Sequence, residues 1–583
     1  YSGTQPTDFT KVGLDLTNMS SKQIAGQITL IQGSHDNALQ FRNYTPRGTA
    51  ATTATKGDYE YSLRLLQGDD TEADATAMTG KRVVLDYNRF KEGSVEYSST
   101  STNTVWFAGR SYGGNTTTGN TLTIGGGLSR DITAYGAQTL GTAGGSTNNR
   151  VTIALAGTAY QVTAAYGGFI GRASNADAVT GNTLNLSGGT VGTLYGGYSS
   201  GTGAVSGNST LVTGGTVKGN IYAGYAATTG QATNNTLTLG AQDGAYSATI
   251  EGEIYGGSDA SGSGNTLVVQ AGSEVSVKKV HNFDTYRFVL QSNALIDKTM
   301  LKIRETGGLG GSVDWSKISV DPSKFALDPT WMGSRSVKLI ESMGEMTFSG
   351  YGARDLTTSY SNEPYEVYLH TDRDDTTTGK ASDLLLTVNR LKNGSVDYDG
   401  TNALFVGDEV FTARSAMGHD VTDNTLNLTG VQTGGIAKFA AAGVTTGAAG
   451  KLENNTVTIN SATALSITNV YGAYAANAGS SGELTSNSVT LVQGALTGNI
   501  YGARTLGSGS AATNTVRITG GSVTGDVYGG FSTSGNAESN TMRITGGSVT
   551  GNVYGGFSTS GNAAGNTVDL GDISGLKISG AVV

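Results

Sequence analysis

The feature that most constrains the fold of this chain is a phrase that recurs twelve times, in two blocks of six copies. Its clearest pair is NTVRITGGSVTGDVYGGFSTSGNAES at 514–539 and NTMRITGGSVTGNVYGGFSTSGNAAG at 540–565. A strand-forming phrase that recurs every 26–33 residues is typical of a solenoid, in which each copy forms one coil. Both blocks have a similar series of spacings and begin 304 residues apart, at Asn120 and Asn424. We therefore infer that a whole block was duplicated.

Two positions of the phrase align the copies. One is an Asn that begins a strand, at Asn120, Asn149, Asn182, Asn208, Asn235, Asn265, Asn424, Asn455, Asn487, Asn514, Asn540 and Asn566. The other is an aromatic residue, at Phe107, Tyr135, Tyr166, Tyr195, Tyr222, Tyr255, Phe411, Phe439, Tyr471, Tyr501, Tyr528 and Tyr554. Stacked coils place equivalent residues above one another, so each set is predicted to form a structural ladder.

The alternation of residues in each copy predicts which side chains face the core. In NTVRI, Asn514, Val516 and Ile518 share one face of the strand, and the apolar members of that face require it to be buried. A single buried amide is costly, but amides stacked at ~4.8 Å can donate to and accept from one another. We therefore favour a buried asparagine ladder over the alternative, in which each Asn is an ordinary surface turn residue.

The tyrosines allow two interpretations. Strict alternation points Tyr528 outward, where an aromatic ladder could stack on sugar rings. Alternatively, the Gly529–Gly530 pair bends the chain and packs the ring in a corner. We favour packing, because Phe at three of the twelve positions lacks the hydroxyl that sugar binding would use. The repeated Gly-Gly pairs are interpreted as turn residues and not as phosphate loops, since no helix-forming sequence follows them.

Composition excludes several classes of partner. The net charge is −9 with only 14% charged residues, which gives no basic footprint for nucleic acid and no polybasic patch for a membrane. No apolar run reaches the ~18 residues of a membrane-spanning helix. Glycine is abundant at 89 residues, but apolar residues at the same phase in twelve copies argue against disorder. There are no cysteines, so an extracellular chain of this kind must be stabilised by an extended core.

We predict an all-β fold: a parallel β-helix solenoid of two tandem six-coil blocks interrupted by β-rich inserts. The predicted boundaries are an insert at 1–102, a block at 103–283, an insert at 284–402 and a block at 403–583. The inserts are related, because RVVLDYNRFKEGSVEY matches DLLLTVNRLKNGSVDY and GQITLIQGS resembles RSVKLIESM. All five prolines lie in them. The first insert is the shorter, so we expect the sequence to be part of a longer product that continues upstream.

Nothing in the sequence favours catalysis, and we expect no enzyme activity, cofactor or metal. The four histidines have no metal-binding spacing and are interpreted as surface residues. Glu251, Glu253 and Asp259 form a weak candidate for paired-carboxylate hydrolysis, without an equivalent in the second block. The pairs Arg110–Ser111 and Arg414–Ser415 recur at the first coil of each block, and we expect them to cap the solenoid beside an insert.

The coils of form NTVxIxGGxVxGxVYGG, together with inserts of form YRFVL…KTMLKI…VKLIES…YEVYLH…LLLTVN, resemble the passenger region of a type V autotransporter. The resemblance covers nearly all of the chain. It implies a right-handed parallel β-helix that grows away from a bacterial surface and folds outside the cell. It also implies a secretion signal upstream and a translocating β-barrel downstream, outside this chain, as the only connection to the membrane. Most passengers of this family are adhesins.

We therefore expect a cell-surface adhesin that attaches to a host-surface protein or glycan, or to another copy of itself. Two alternatives stay open: a self-assembling extracellular filament or autoaggregation module, and a polysaccharide-active β-helix enzyme. A stripe of outward hydroxyls follows the ladder, and we interpret it as β propensity and solubility rather than as a binding surface. The stripe comprises Thr121, Thr183, Thr236, Thr266, Thr425, Thr456, Thr515, Thr541 and Thr567.

Overall fold

The structure is a computed structural model. It describes residues 6–17, 23–36, 38–45, 53–67, 73, 79–97, 99–157, 159–258, 262–291, 295–321, 324–325, 328, 330–357, 364–400, 409–430, 438–571 and 576–583. Contacts divide the chain into two compact units. Unit 1 comprises Tyr1–Phe325, Lys338–Gly352 and Asp372–Leu384. Unit 2 comprises Ala326–Val337, Ala353–Thr371 and Leu385–Val583.

Unit 1 contains a parallel β-solenoid with three sheets, as the repeats predict. We call the first the asparagine sheet, since its strands follow the ladder asparagines; its nine strands at ~4.8 Å extend over about 38 Å. They are Ser94–Glu96, Thr121–Gly126, Arg150–Leu155, Thr183–Gly188, Ser209–Val212, Thr236–Leu239, Thr266–Val269, Thr285–Val289 and Ile318–Asp321.

The second sheet of unit 1, the tyrosine sheet, carries the aromatic positions. Its strands are Val105–Ser111, Ile132–Thr139, Val162–Ile170, Thr190–Ser199, Thr216–Val217, Ile221–Tyr222, Tyr225–Ala226, Thr249–Ile250, Ile254–Tyr255 and Val280–His281. The third sheet consists of two-residue strands at Thr117–Thr118, Ser146–Thr147, Val179–Thr180, Val205–Ser206 and Ala232–Thr233. Equivalent residues of successive coils pair in register, so each sequence position becomes a column along the stack.

Unit 2 repeats this three-sheet plan. Its asparagine sheet contains Ser395–Tyr398, Thr425–Leu428, Thr456–Leu465, Ser488–Leu496, Thr515–Ile518, Ser522–Val523, Thr541–Ile544, Ser548–Val549, Thr567–Leu570 and Lys577–Ile578. Its tyrosine sheet contains Glu409–Ser415, Phe439–Thr445, Asn469–Ala475, Asn499–Thr505, Val527–Ser532, Val553–Tyr554 and Phe557–Ser558. Its short strands are Val421–Thr422, Leu452–Glu453, Leu484–Thr485, Ala511–Ala512, Ala537–Glu538 and Ala563–Ala564.

Alternation within each strand builds the core. Val516 and Ile518 are fully buried and Arg517 between them is exposed, as predicted. The second half of the copy adds Val523 and Val527, which pack in the same apolar cluster. One coil departs from the rule: Thr210 occupies a buried position between leucines in unit 1, and its hydroxyl has no hydrogen-bond partner. The parallel β-solenoid predicted from the sequence is confirmed.

The segments outside the stacks contain antiparallel pairing and short elements. An antiparallel sheet in unit 1 has the order Ala25–Gln32, Arg82–Arg89, Tyr59–Leu66, Thr53–Lys56. The other strands are Thr7–Asp8, Leu39–Arg42, Thr79–Gly80, Val275–Val277, Thr299–Ile303, Ser312–Asp314, Ser334–Ser349, Arg354–Asp355, Tyr365–Thr371 and Lys380–Arg390. Two 3-10 helices occupy Phe9–Lys11 and Trp315–Lys317. In the described ranges, no helix is long and apolar enough to cross a membrane.

Parallel stacking extends beyond the residues assigned to the two blocks. In unit 1 the asparagine sheet begins at Ser94–Glu96 and ends at Ile318–Asp321, although the predicted block covers 103–283. Parallel pairing also joins Val275–Val277 to Thr299–Ile303, and Thr299–Ile303 to Ser334–Ser349. In unit 2 it begins at Ser395–Tyr398, before the predicted start at 403. These flanking strands lack the NTVxI phrase, but they alternate in the same way and pair in the same register. A strand needs only that alternation to join a parallel stack. The number of NTVxI repeats in the sequence is therefore lower than the number of coils in the structure.

The residue before each ladder asparagine has left-handed backbone geometry. Thr513, before Asn514, has a φ of 56°, and Gly207, before Asn208, has a φ of 64°. The same geometry precedes the other ladder asparagines, at Gly119, Asn148, Gly181, Asn234, Gly264, Asp423, Asn454, Ser486, Ser539 and Gly565. This turn directs the chain from a short strand into the asparagine sheet, which explains why Gly, Asn, Asp, Ser and Thr occupy the position.

The glycine pair that follows a column tyrosine, such as Gly529–Gly530 after Tyr528, does not form the turn that the sequence analysis predicted. Neither Gly529 nor Gly530 has a positive φ, so the interpretation of this pair as turn residues is wrong. A Cβ at Gly530 would lie 2.6 Å from the amide carbon of Asn540, and one at Gly529 would lie 2.1 Å from the carbonyl oxygen of Gly555. A Cβ at either position of this coil would therefore force a neighbouring atom to shift, although Ala503, which pairs with Gly530 in the preceding coil, shows that the second position accepts a Cβ elsewhere in the stack. The turn interpretation applies to the other pair of the copy, where Gly521 has a φ of 72°.

Candidate functional site

The asparagines form two continuous buried ladders, one in each unit. In unit 1 the ladder comprises Asn120, Asn149, Asn182, Asn208, Asn235 and Asn265. In unit 2 it comprises Asn424, Asn455, Asn487, Asn514, Asn540 and Asn566. All except Asn566 are at most 1% exposed. The structure thus brings together every asparagine that the sequence assigned to a ladder.

Each interior rung satisfies the full hydrogen-bonding capacity of its amide. The Oδ1 atom of Asn208 accepts from the backbone N–H of Asn182 at 3.0 Å and from its Nδ2 at 2.9 Å. The Nδ2 atom of Asn208 donates to the Val179 carbonyl at 3.0 Å and to Oδ1 of Asn235 at 2.9 Å. A fully satisfied polar column in a dry interior fixes the register of the coils. The ladder therefore leaves no interior asparagine amide available for a ligand.

Residues that the sequence analysis did not identify continue the unit 1 ladder at both ends. At one end the N–H of Gly93 donates to Oδ1 of Asn120 at 2.8 Å. At the other end the N–H of Asn265 donates to Oδ2 of Asp284 at 3.0 Å. The Asp of the sequence NFDTY thus takes the place of the next ladder asparagine, and Thr285 after it continues the column of outward threonines. The available signal was an Asp-Thr pair 19 residues after Asn265-Thr266, a spacing shorter than the 26–33 residues of the repeat.

The tyrosines form stacked columns on the outer side of the tyrosine sheet. In unit 1 the ring centroids of Tyr166 and Tyr195 are 4.8 Å apart with planes 2° apart. The same stacking joins Tyr135 to Tyr166, Tyr195 to Tyr222, and Tyr222 to Tyr255. His281 ends this column, with its ring 4.6 Å from that of Tyr255. In unit 2 the column is Tyr471, Tyr501, Tyr528 and Tyr554, with centroid distances of 4.7–5.1 Å.

A second aromatic column, which the sequence analysis missed, lies beside the first. In unit 1 it consists of Phe169, Tyr198 and Tyr225, which stack at 5.2 Å. The rings of one column meet those of the other edge to face, as Tyr195 and Tyr198 do with planes 83° apart. The signal was an aromatic residue three positions after six of the nine tyrosines, as in YGGF and YGGY; Gln138, Ser258 and Arg504 occupy this position in the other three copies. The intervening glycines allow positions i and i+3 of a strand to face the same side.

The stacking of the rings distinguishes between the two roles considered for the aromatic columns, sugar binding and packing. Within a column each ring covers the face of the next, so only ring edges reach solvent, whereas sugars bind to aromatic faces. Tyr471 and Tyr501 are 2% and 6% exposed, and the other tyrosines of the columns are half-buried. Burial raises the pKa of Tyr195 to about 12 and also raises that of Tyr166. The columns are therefore packing elements along most of their length, although they lie outside the sheet and not in a corner.

The alignment of the aromatic positions is wrong at one copy. Ala441, not Phe439, pairs with Phe411 on one side and with Tyr471 on the other. Phe439 lies two residues earlier, beside Glu409 in the preceding coil. The aromatic residue nearest the expected spacing was chosen, although the register of the strand requires the alanine. The first column of unit 2 therefore lacks a ring at this coil, and a cleft of about 300 Å³ opens beside it.

A buried glutamate links an insert strand to the first coil of the stack in each unit. In unit 1, Glu60 is fully buried and its carboxylate accepts from Ser111 Oγ at 2.6 Å, Tyr112 N–H at 2.8 Å and Asn115 Nδ2 at 2.9 Å. The capping expected of Arg110–Ser111 thus depends on Ser111. Arg110 instead places its guanidinium 3.5 Å from the ring centroid of Phe107.

Unit 2 repeats this arrangement with Glu366, which is also fully buried. Its carboxylate accepts from Ser415 Oγ at 2.7 Å, Ala416 N–H at 2.7 Å, Met417 N–H at 2.9 Å and Asn389 Nδ2 at 2.8 Å. Four donors satisfy the charge of a carboxylate that has no water around it. Because the glutamate is in the insert strand and the serine in the coil, neither sequence segment alone revealed the pair.

The acidic cluster considered for catalysis is only partly assembled. Glu253 accepts a short hydrogen bond from the Tyr255 hydroxyl and lies 3.2 Å from Nε2 of His281. The Tyr255 hydrogen bond, with His281 nearby, lowers the pKa of Glu253, which is opposite to what a general acid needs. Glu251 is exposed on the same strand, and Asp259 lies outside the described residues. Across the described ranges, no group of His, Cys, Asp or Glu is arranged to hold a metal ion.

The outward threonines also occupy one column in each unit. Thr236 pairs with Thr266, and Thr515 pairs with Thr541, which pairs in turn with Thr567. Arg150 and Ser209 replace threonine in unit 1, and Ser488 does so in unit 2, so the hydroxyl column is interrupted only by Arg150.

Comparisons with known proteins give no relative of this chain. No family model matches it, and neither a curated protein nor a solved structure is similar to it. The fold and the geometry of its columns are therefore the basis for any functional assignment.

Proposed function

We propose that this protein is an adhesin, a β-solenoid displayed on a bacterial cell surface that attaches the cell to host surfaces or to neighbouring cells. The resemblance of its coils to autotransporter passengers and its parallel stacking support this proposal. The absence of cysteine also fits a chain that is exported unfolded and folds outside the cell. The proposal assigns no catalytic activity, cofactor or nucleic-acid partner to the chain.

One observation carries the proposal: the inward-facing ladder asparagines hydrogen-bond to one another, whereas the outward columns repeat at the spacing of the coils. A ladder such as Asn182 to Asn235 fixes this spacing at one coil of ~4.8 Å. A surface that repeats a side chain at constant intervals can make many weak contacts at once, and such contacts multiply into firm attachment. This is the property that adhesion requires.

The test is an attachment assay with the full chain. Beads that carry the purified protein are passed over epithelial cell layers, immobilised glycans and extracellular matrix proteins, and retention is measured under flow. We expect retention on at least one of these surfaces to exceed that of albumin-coated beads by at least tenfold. Retention equal to that of albumin beads on every surface would contradict the proposal.

A further inference from the structure

The cleft beside Ala441 differs from the rest of the aromatic surface. It has a volume of about 300 Å³, at the lower end of the ~300–1,000 Å³ typical of small-molecule sites. Val444, Phe439 and Tyr474 contribute apolar surface to it. Its polar lining includes Thr446 and Asn469. The charged side chains around it are Glu409, Arg414, Lys438 and Arg504.

The cleft arises because one coil of the stack carries small side chains in both aromatic columns. Ala441 occupies the first column and Val444 the second. Tyr474 of the next coil then lies flat on Tyr471, with centroids 4.3 Å apart and planes 8° apart. In the regular coils this pair is edge to face, as for Tyr528 and Phe531 with planes 89° apart. Tyr474 has therefore turned into the space of the missing ring and has left its own place in the second column open.

This rotation places the ring of Tyr474 at the wall of the cleft, with a stacked ring on one of its faces. Tyr471 stacks on one face of its ring, and Phe439 meets it edge to face at a centroid distance of 5.6 Å. Among the described residues, no ring is stacked on the second face. A ring with one uncovered face, at the wall of a cleft, can accept the apolar face of a sugar.

The charge of the cleft contrasts with that of the chain. Three cationic side chains and one carboxylate give the cleft a formal charge of 3 − 1 = +2, whereas the whole chain carries −9. Glu409 lies 3.7 Å from both Arg414 and Lys438, so one carboxylate is shared by two cations. Nη1 of Arg504 donates to the Tyr471 hydroxyl at 3.4 Å, and Nη1 of Arg414 lies 3.7 Å from Glu409. The described residues offer no hydrogen-bond partner to the other terminal nitrogen of either guanidinium, which is the part of the side chain that a ligand would meet.

We propose that this cleft binds a sugar residue that carries a carboxylate, such as a hexuronic acid within a glycan. The inference rests on the proposed adhesin function and specifies its ligand. The sugar ring would stack on Tyr474, and its carboxylate would pair with the guanidinium of Arg504 or Arg414, whose planar forks match a carboxylate. Thr446 and Asn469 offer hydrogen bonds to the hydroxyls. A neutral sugar would leave the arginines unpaired, and a simple carboxylate would leave the ring face uncovered.

Calorimetric titration of the full chain with three probes tests both requirements. The probes are glucuronic acid, glucose and acetate, because each of the last two lacks one of the recognised features. We expect glucuronic acid to bind at least tenfold more tightly than glucose or acetate. Equal binding of glucuronic acid and acetate would overturn the proposal, since the ring would then contribute nothing. No binding of glucuronic acid at 100 mM would also overturn it.

Two variants and a control assign the binding to the cleft. Val444→Phe fills the open place in the second column, and Lys438→Gln removes an exposed cation without loss of packing. We expect Val444→Phe to weaken glucuronic acid binding at least tenfold and Lys438→Gln to weaken it severalfold. Arg517→Gln, on the exposed face of the asparagine sheet, should leave it unchanged. Unchanged binding in a Val444→Phe protein with wild-type circular dichroism would place the ligand elsewhere and refute the proposal.

The attachment assay separates this inference from the broader function. If beads are retained on cells but the chain does not bind glucuronic acid, the cleft proposal fails and the adhesin proposal stands. If glucuronic acid binds at the cleft but beads are retained nowhere, the site is real and the adhesin proposal fails. Loss of retention in the Val444→Phe variant alone would show that the cleft provides the adhesive contact.

Discussion

Replacement of Asn514 by alanine removes one rung of the unit 2 ladder and deprives two N–H groups of the neighbouring Asn487 of their acceptor. The Oδ1 atom of Asn514 accepts from the backbone N–H and from the Nδ2 of Asn487, both at 3.0 Å. Its Nδ2 donates to the Leu484 carbonyl and to Oδ1 of Asn540, also at 3.0 Å. Asn487, Asn514 and Asn540 are all fully buried, so the freed groups cannot turn to bulk water.

The cost follows from the number of buried donors that lose an acceptor. Each unsatisfied donor in a dry interior costs ~1–3 kcal/mol, so the two donors of Asn487 together cost about 2–6 kcal/mol. We therefore expect Asn514→Ala to lower the free energy of unfolding of unit 2 by about 4 kcal/mol. The adjacent Thr515 faces outward and is half-buried, so Thr515→Ala should change this free energy by less than about 0.5 kcal/mol.

Urea denaturation followed by circular dichroism measures this difference. Hydrogen exchange then locates it, because solenoid coils can unfold stepwise. We expect protection to fall first in the coils on either side of residue 514. A decrease of less than about 1 kcal/mol, or one equal to that of Thr515→Ala, would refute the account of the ladder as a satisfied buried column.

A double-mutant cycle with Asn487→Ala provides a stricter test. The single variant Asn514→Ala strands the Nδ2 of Asn487, but the double variant no longer contains this donor. The sum of the two single variants therefore includes the cost of this unsatisfied Nδ2, and the double variant does not incur it because it lacks the Asn487 side chain. We expect the double variant to be about 1–3 kcal/mol less destabilised than the sum of the single variants. Additive effects would contradict the hydrogen-bond mechanism.

Three further predictions concern other parts of the coil. Gly529→Ala should lower the free energy of unfolding by about 2 kcal/mol, because its Cβ would lie 2.1 Å from the backbone carbonyl oxygen of Gly555 in the adjacent coil; Gly125→Ala, with no atom within 4 Å of the new Cβ, should have little effect. Thr513→Gly should raise it by up to about 1 kcal/mol in urea denaturation, because a β-branched residue is strained at a φ of 56°. The hydrogen bond from Tyr255 lowers the pKa of Glu253 in the folded protein below its usual 4.5. The stability that the ionised Glu253 contributes is therefore fully present above pH 4.5, and it is lost as the pH falls through the lower pKa of the folded state. Hydrogen exchange of this coil should accordingly increase below pH 4.5 in the wild type, and this dependence should be weaker in Glu253→Gln.

Periodicity made the repeated part of the fold predictable. The phase of Asn514, Val516 and Ile518 identified the core face, and stacking of equivalent residues followed from the constant period. The same reasoning failed at Phe439, because it selected the nearest aromatic residue, whereas strand register placed Ala441 in the column. Hydrogen bonding in the sheet depends on register and not on residue type, so such an exception is visible only in three dimensions.

Other features could not be predicted because they depend on contacts between distant segments. The carboxylate of Glu366 meets Ser415 from 49 residues away, and neither residue has a distinctive neighbouring sequence. The cleft likewise depends on the rotation of Tyr474 onto Tyr471, which no local pattern encodes. The side-chain amide of Asn540 lies close to Gly530, and this contact is not visible in the sequence because a glycine at this position is equally compatible with a turn. Sequence periodicity thus specifies columns but not the exceptions in them.

The ladder has a consequence for how a protein of this kind changes its length. The copies at 514–539 and 540–565 differ at only four positions, and every rung accepts from the copy before it and donates to the copy after it. The ladder asparagine of a copy inserted between them by gene duplication would accept hydrogen bonds from the copy before it and donate one to the copy after it, so all three asparagines would be satisfied. Loss of a copy would rejoin the same two partners. Evolution can therefore lengthen or shorten the stack by one repeat at a time, without any change to the residues that form its interior.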